Sequence, residues 1–377
     1  MPKKIARFWL LMFLSFVQGV YAQSRVDFSQ LLYGYIGYYP KYEAMSEVGL
    51  GYIPKLSAEA PIDSLHGFKM EASLTLGATA KFREFVEVNG NVNVRPYRVW
   101  IRYATPQIEI RAGLQSIEFG SAQFLRPLQW FDKKDRSDPL QLSGGVYGLL
   151  GRYYFPNNAN VWVWGLYGNK QLGLQDLLPV NPKHPGLGGR FQMPIPKGEA
   201  AITFNRSTFR QEVITQNSPI VHENRFGIDA KADLGVGLWV EAAWSALSHL
   251  AESVKSRRLL TVGADYTFGL GNGLTIQTEQ MFSSYGGSHK NWEHPDTIGL
   301  ISAQYPMTLS DQVGLLLYRQ WKAEKNYFVA QYRHDFRRWT VFIIGFLRPF
   351  EPDIMSKNDV ITTITGSGIR ILLMYHY

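Results

Sequence analysis

The residues with the most chemistry to offer lie between Gly120 and Gly144, where Arg126, Asp132, Lys133, Lys134, Asp135, Arg136 and Asp138 stand beside Trp130 and Phe131. Fixed charges of both signs next to aromatic rings can filter a passing ion or polar solute, without any covalent step. A second set of charges is spread along the chain: Arg98, Arg102, Arg111, Arg152, Arg190, Arg225, Lys231 and Arg333, with Glu71, Glu109, Asp229, Glu241 and Glu279 against them. Guanidinium groups gathered around confined water would concentrate anions, and the planar fork of arginine binds carboxylate or phosphate through two hydrogen bonds. The same residues, paired across neighbouring strands, would only brace a wall. Both readings stand at this point.

Other chemistries find less support. Asp132, Asp135 and Asp138 offer carboxylates to a calcium ion, but the interleaved Lys133, Lys134 and Arg136 compensate them directly. The eight histidines show no metal-ligand spacing, His289 and His294 being the nearest approach to a pair. Ser248-His249 and Ser288-His289 are adjacent, and neighbours on a strand point to opposite faces, so no serine nucleophile is assigned. Gly269 to Gly273 superficially resembles a phosphate loop but joins two strands instead of opening a helix. Without cysteine there is no disulfide, thiolate metal site or thiol nucleophile. Basic residues form no stripe, which argues against nucleic acid. The expectation is a non-enzyme with no cofactor.

The elements that must position these charges are strands. From Phe68 to Ala80, Phe68, Met70, Ala72, Leu74, Leu76, Ala78 and Ala80 share one face, opposite Lys69, Glu71, Ser73, Thr75 and Thr79. Such a segment has one oily and one wet side, and is long enough to cross a bilayer when tilted. The pattern returns at Tyr97, Val99, Ile101 and Tyr103 opposite Arg98, Trp100 and Arg102, again at 107–115 and 225–231, and in the last ten residues. Short turns rich in Pro, Gly, Asn and Asp, at Thr105-Pro106, 156–159, 194–198, 233–235, 269–272, 306–309 and 336–337, alternate with mostly longer connections at 118–144, 169–186, 209–222, 247–257, 284–296 and 348–365. Short turns on one side and long loops on the other are the habit of membrane barrels. Counting by this rule gives an all-β, antiparallel transmembrane barrel of about 18 strands. Because 26–38 is aromatic and glycine-rich with no clean alternation, about 16 strands is the alternative count.

The N-terminus sets the compartment. Lys3, Lys4 and Arg7 precede the apolar run Phe8 to Val17 and the small-residue site Val20-Tyr21-Ala22, the pattern of a secretory signal peptide over 1–22. The barrel domain is then 23–377. Its 22 Phe, 21 Tyr and 10 Trp suit the membrane interface. In lipid every backbone amide must be satisfied internally, and a closed barrel leaves no edge. A barrel this wide leaves an aqueous channel unless a loop fills it.

Three places carry a resemblance. Gly368 to Tyr377 is similar to the C-terminal targeting strand of bacterial outer-membrane barrels, with Tyr377 in place of the more usual Phe. Arg111 to Gly120 is similar to the strand-to-loop passage of substrate-specific porins and alginate-export-type barrels. Leu125 to Asn169 resembles uncharacterised porin-like barrels of Bacteroidota-type envelopes. The resemblance implies an outer-membrane pore in contact with outer-membrane lipid, recognised by barrel-assembly machinery through Gly368–Tyr377. The function expected is passive diffusion of small polar, and in the arginine reading anionic, solutes. Polysaccharide export, surface-glycan anchoring by loop aromatics such as Trp130 and Trp292, or a role in secretion or assembly are the alternatives. Oligomeric state is not set by the sequence.

Overall fold

A computed structural model describes residues 24–40, 45–83, 86–131, 140, 142–170, 173, 176, 180–209, 221–248, 256–286, 295–347 and 367–377. The expected signal peptide therefore lies outside the described residues. Eighteen strands form one sheet. They are β1 (Arg25–Tyr39), β2 (Met45–Pro61), β3 (Gly67–Arg83), β4 (Val86–Ala104), β5 (Ile108–Gln115) and β6 (Val146–Tyr154). Next come β7 (Asn160–Leu166), β8 (Gly186–Ile195), β9 (Gly198–Phe209), β10 (Val221–Asp233), β11 (Gly237–Leu247) and β12 (Ser256–Phe268). The last are β13 (Leu274–Tyr285), β14 (Asp296–Pro306), β15 (Asp311–Gln320), β16 (Lys325–Phe336), β17 (Trp339–Leu347) and β18 (Gly368–His376).

Each strand pairs antiparallel with its chain neighbours, and β1 pairs with both β2 and β18, Leu31 opposite His376 and Tyr38 opposite Ile369. The sheet is closed. The count of 18 holds, including the first two strands. Their missing alternation has a packing cause. Gly49 and Gly51 on β2 face the rings of Tyr35 and Tyr33 on β1, and a Cβ at either glycine would occupy the ring's place. Small residues there make room for aromatic ones.

Two connections and one strand depart from the sequence reading. β2, β3 and β4 run to 17, 17 and 19 residues, beyond the spans 50–59, 68–80 and 94–104 over which the sequence reads as strand, so the stretches beside 40–44 and 84–85 are strand as well. Together with 321–324, these are short links on the side where the others are long. The third departure is in β4, where Ser73 faces Arg98 while Leu74 faces Pro96, leaving Tyr97 as an extra, bulged residue. Tyr97 packs against the inner apolar cluster, on the same side as Arg98 and not on the expected lipid face.

The outer face is apolar: Ile202, Ile228 and Ile371 are 60%, 56% and 51% exposed, on positions alternating with buried polar or apolar ones. Aromatic pairs mark its two margins. Tyr153–Phe155, Tyr266–Phe268 and Trp339–Tyr375 lie near the short-turn end, and Phe204, Phe226 and Trp244 form a row nearer the loop end.

Candidate functional site: the lumen and its inward loop

Beyond Gln115 the chain turns into the barrel. Ile117, Leu125, Leu128 and Phe131 are at most 1% exposed, a burial that an outer-surface loop does not have. Buried backbone N–H groups need acceptors. Two inward carboxylates supply them. Glu279 on β13 accepts the Gln123 amide at Oε1 (2.6 Å) and those of Phe124 (3.0 Å) and Leu125 (2.6 Å) at Oε2, with the Trp239 indole N–H donating to Oε1 at 3.2 Å. Glu241 on β11 accepts from Ala122 (2.9 Å) and Leu128 (2.5 Å). The Ser121 hydroxyl donates to Asp229 at 3.2 Å. Gly120 permits this approach: its φ is +103°, and a Cβ there would strike the Glu241 carboxylate.

The loop's side chains meet apolar surface on both flanks. Leu125, with Phe124, Leu140 and Leu142, packs on Met281, Leu300, Leu316, Tyr318, Val329, Phe342, Ile344, Phe346, Leu372 and Met374, all inward residues of β13–β18. Phe119, Leu128, Trp130 and Phe131 pack with Val146, Leu150, Trp164 and Leu166 of β6 and β7. The Phe119 ring stacks on Trp164 at 5.6 Å, and Phe131 meets the same indole edge-on at 5.5 Å. The loop is thus pinned in the lumen by backbone hydrogen bonds and by dry packing.

The arginines singled out from the sequence divide into two groups. Arg98 donates to the Ser143 carbonyl (3.1 Å) and hydroxyl (2.8 Å) and to the Tyr97 carbonyl, tying β4 to the far end of the loop. Arg126, only 4% exposed, donates to the Phe119 carbonyl within the loop itself. Arg190 forms two parallel bonds with Asp229 (2.6 and 2.9 Å) and a third with Thr203. Arg225 lies between Glu223 (2.7 Å) and Asp176 (2.6 Å). These four brace. Arg333 pairs with Asp335 at 2.8 Å and is half exposed near the short-turn end.

Arg102, Arg111 and Arg152 are different. All three converge on one carboxylate, Glu109, at 3.6, 3.0 and 3.4 Å. They come from β4, β5 and β6, with Arg102 opposite Arg111 and Glu109 opposite Arg152 in the ladders. Arg111 lies over the Trp100 ring at 4.7 Å and Arg152 over Trp162 at 3.8 Å. The Nε–H of each arginine and the Trp162 indole N–H are buried with no acceptor among the described residues. Three cations, one anion and four spare donors make a small basic site on the lumen wall near the short-turn end.

Lys133, Lys134, Arg136, Asp132, Asp135 and Asp138 lie outside the described residues, as do His289 and His294. Among the described residues no group of acids or histidines is arranged to hold a metal. Glu241 and Glu279 figured in the sequence only as counter-charges. Their grip on the loop links residues 113 to 156 positions apart, and no local signal announces it.

No family model and no curated protein sequence matches the chain. Solved structures do. OccK5 (OpdH) of Pseudomonas aeruginosa is similar with a TM-score of 0.57 at 9% identity, over 94% of this chain and 97% of that one. OpdQ of the same organism gives 0.57 at 9% identity over 94% and 98%. Salmonella typhi OmpF, solved in complex with daunomycin, gives 0.51 at 12% identity over 93% and 97%. At such low identity the likeness is one of fold. Closed from 18 antiparallel strands, with a loop pinned inside, the chain has the fold of the outer-membrane porins.

Proposed function

We propose that this protein is a porin-like outer-membrane channel through which small polar solutes diffuse passively, anionic ones with preference. The observation that carries the anionic part is the convergence of Arg102, Arg111 and Arg152 on the single carboxylate of Glu109, which leaves net positive charge on the lumen wall. In a confined passage such charge raises the local concentration of anions, and stacking on Trp100 and Trp162 holds two of the guanidiniums in place. Selection is electrostatic and steric, set by this site and by the inward loop above it. The reading includes export by a signal peptide cleaved after Ala22 and assembly through the Gly368–Tyr377 strand.

One observation favours a second reading. The apolar packing of Leu125, Leu128 and Phe131 in the lumen also suits a barrel held shut, as an exporter, a glycan anchor or an assembly partner requires. Planar-bilayer recording of the refolded mature chain under a salt gradient separates the two. Discrete open steps with an anion-favouring reversal potential are expected, and replacing Arg102, Arg111 and Arg152 together by Gln should abolish the preference. Insertion without conductance would favour the closed barrel. Unchanged permeability ratios in the triple variant would remove the basic site from the mechanism.

A further inference from the structure

The lipid-facing side of the barrel is not uniform. Along β8–β13 every acid, namely Glu199, Glu223, Asp229, Asp233, Glu241, Asp265 and Glu279, occupies a position whose neighbours in register place it inward. The outward positions of these six strands carry no carboxylate, yet they carry two arginines, Arg206 on β9 and Arg258 on β12. In register Arg206 stands between Leu187 and Asn224, and Arg258 between Trp244 and Ser284, so neither has an acid opposite it. Arg206 is exposed and Arg258 half-buried.

Their placement relative to the aromatic row is specific. Phe204, Phe226, Trp244 and Arg258 are directly opposite one another on β9, β10, β11 and β12. The rings lie 4.9 and 5.7 Å apart, the second pair stacked, and all three are more than a third exposed. Arg206 is two residues beyond Phe204 on the same face, toward the loop end. An apolar shelf is therefore closed at its side and its top by cations three strands apart, roughly 14 Å. A guanidinium in hydrocarbon is costly, and it rises to the headgroup level, where it needs an anion.

We propose that Arg206 and Arg258 form a seat for the phosphorylated headgroup of an anionic lipid in the leaflet at the loop end. The acyl chains of that lipid lie along Phe204, Phe226 and Trp244. The shelf beneath the cations is what selects a lipid over a free anion. This rests on the membrane-barrel part of the functional reading and is independent of conduction.

The test is native mass spectrometry of the refolded mature chain in non-ionic detergent, titrated with diphosphoryl lipid A. Phosphatidylcholine serves as the neutral comparison and inorganic phosphate as competitor. The expected result is a lipid A adduct that phosphate does not displace, with no comparable phosphatidylcholine adduct. In R206Q/R258Q the affinity should fall roughly thirtyfold, the worth of two surface cations facing anionic lipid. Equal binding by that variant, or equal retention of phosphatidylcholine, would overturn the proposal, and so would displacement by phosphate alone. Insertion and conduction without anionic-lipid preference would sink the seat and leave the channel. Failure to insert into phosphatidylcholine vesicles would remove both.

Discussion

The two walls of the lumen solve the same problem in opposite ways. From β4 to β10 the inward face carries ion pairs beside the apolar residues of β6 and β7: Arg102, Arg111 and Arg152 on Glu109, Arg190 on Asp229, Arg225 on Glu223 and Asp176. From β13 to β18 it is built of Leu300, Leu316, Tyr318, Phe342, Ile344 and Leu372. The loop lies between them: Glu241 on β11 and Glu279 on β13 hold its backbone, and apolar side chains of β6, β7 and β13–β18 pack on it from either flank. A buried ion pair brings little net stability because desolvation offsets its attraction, whereas removing one partner strands a charge. Apolar contacts have no such threshold and fail by degrees.

That difference sets the largest expected effect. The Arg190 and Asp229 side chains are 4% and 2% exposed, so Arg190→Ala should destabilise the barrel by about 3–5 kcal/mol, read as the midpoint of heat unfolding in micelles. Replacing both partners, Arg190→Leu with Asp229→Leu, should recover most of the loss by making this stretch resemble the opposite wall. If the single variant costs no more than the double, the contrast between the walls is wrong.

Next in size is the hold on the loop. Glu279→Leu leaves the amides of Gln123, Phe124 and Leu125 without their acceptor, at about 1–3 kcal/mol each if they stay buried. The expected outcome is release of the segment, seen as faster hydrogen exchange at those three amides and a larger, noisier single-channel conductance. Leu125→Ala, on the apolar side, should cost about 2–5 kcal/mol of packing yet leave the three amides hydrogen-bonded and slow to exchange. Should Leu125→Ala free the amides while Glu279→Leu does not, the apolar wall alone seats the loop.

The same contrast explains what was legible in the sequence. Where the inner wall is charged, the period of two is plain, and Phe68–Ala80 or Arg98–Ala104 give strand, face and lumen residues directly. Where it is apolar, as in Trp339–Leu347 (WTVFIIGFL), both faces read alike, so the strand is found but its inner face is not. The charged, aromatic composition of 120–144 pointed to a constriction. Whether those charges are free or committed was decided by register: one extra residue at Tyr97 and a carboxylate more than a hundred positions away are invisible without it. Arg98 and Arg102, four residues apart on the same face, looked equivalent. One ties down the loop and the other joins the basic site on Glu109.

Away from both walls, the smallest effect is expected at the 62–66 turn. The Leu65 amide, together with the His66 ring and amide, holds the exposed Asp63 carboxyl below the usual carboxylate range. A depressed carboxylate contributes its stability above the unfolded value, about 3.9, and loses it as pH falls through the lower folded value. Asp63→Ala should therefore lower the unfolding midpoint slightly and by a constant amount from neutral pH down to about 4, the wild-type advantage vanishing only in stronger acid. Water competes for every group in this turn, so the effect should stay far below that of Arg190→Ala, although both variants delete one partner of a short polar contact. If the two proved comparable, burial would not be what separates a bracing arginine from an ordinary surface contact, and the division of the arginines into committed and available groups would lose its physical basis.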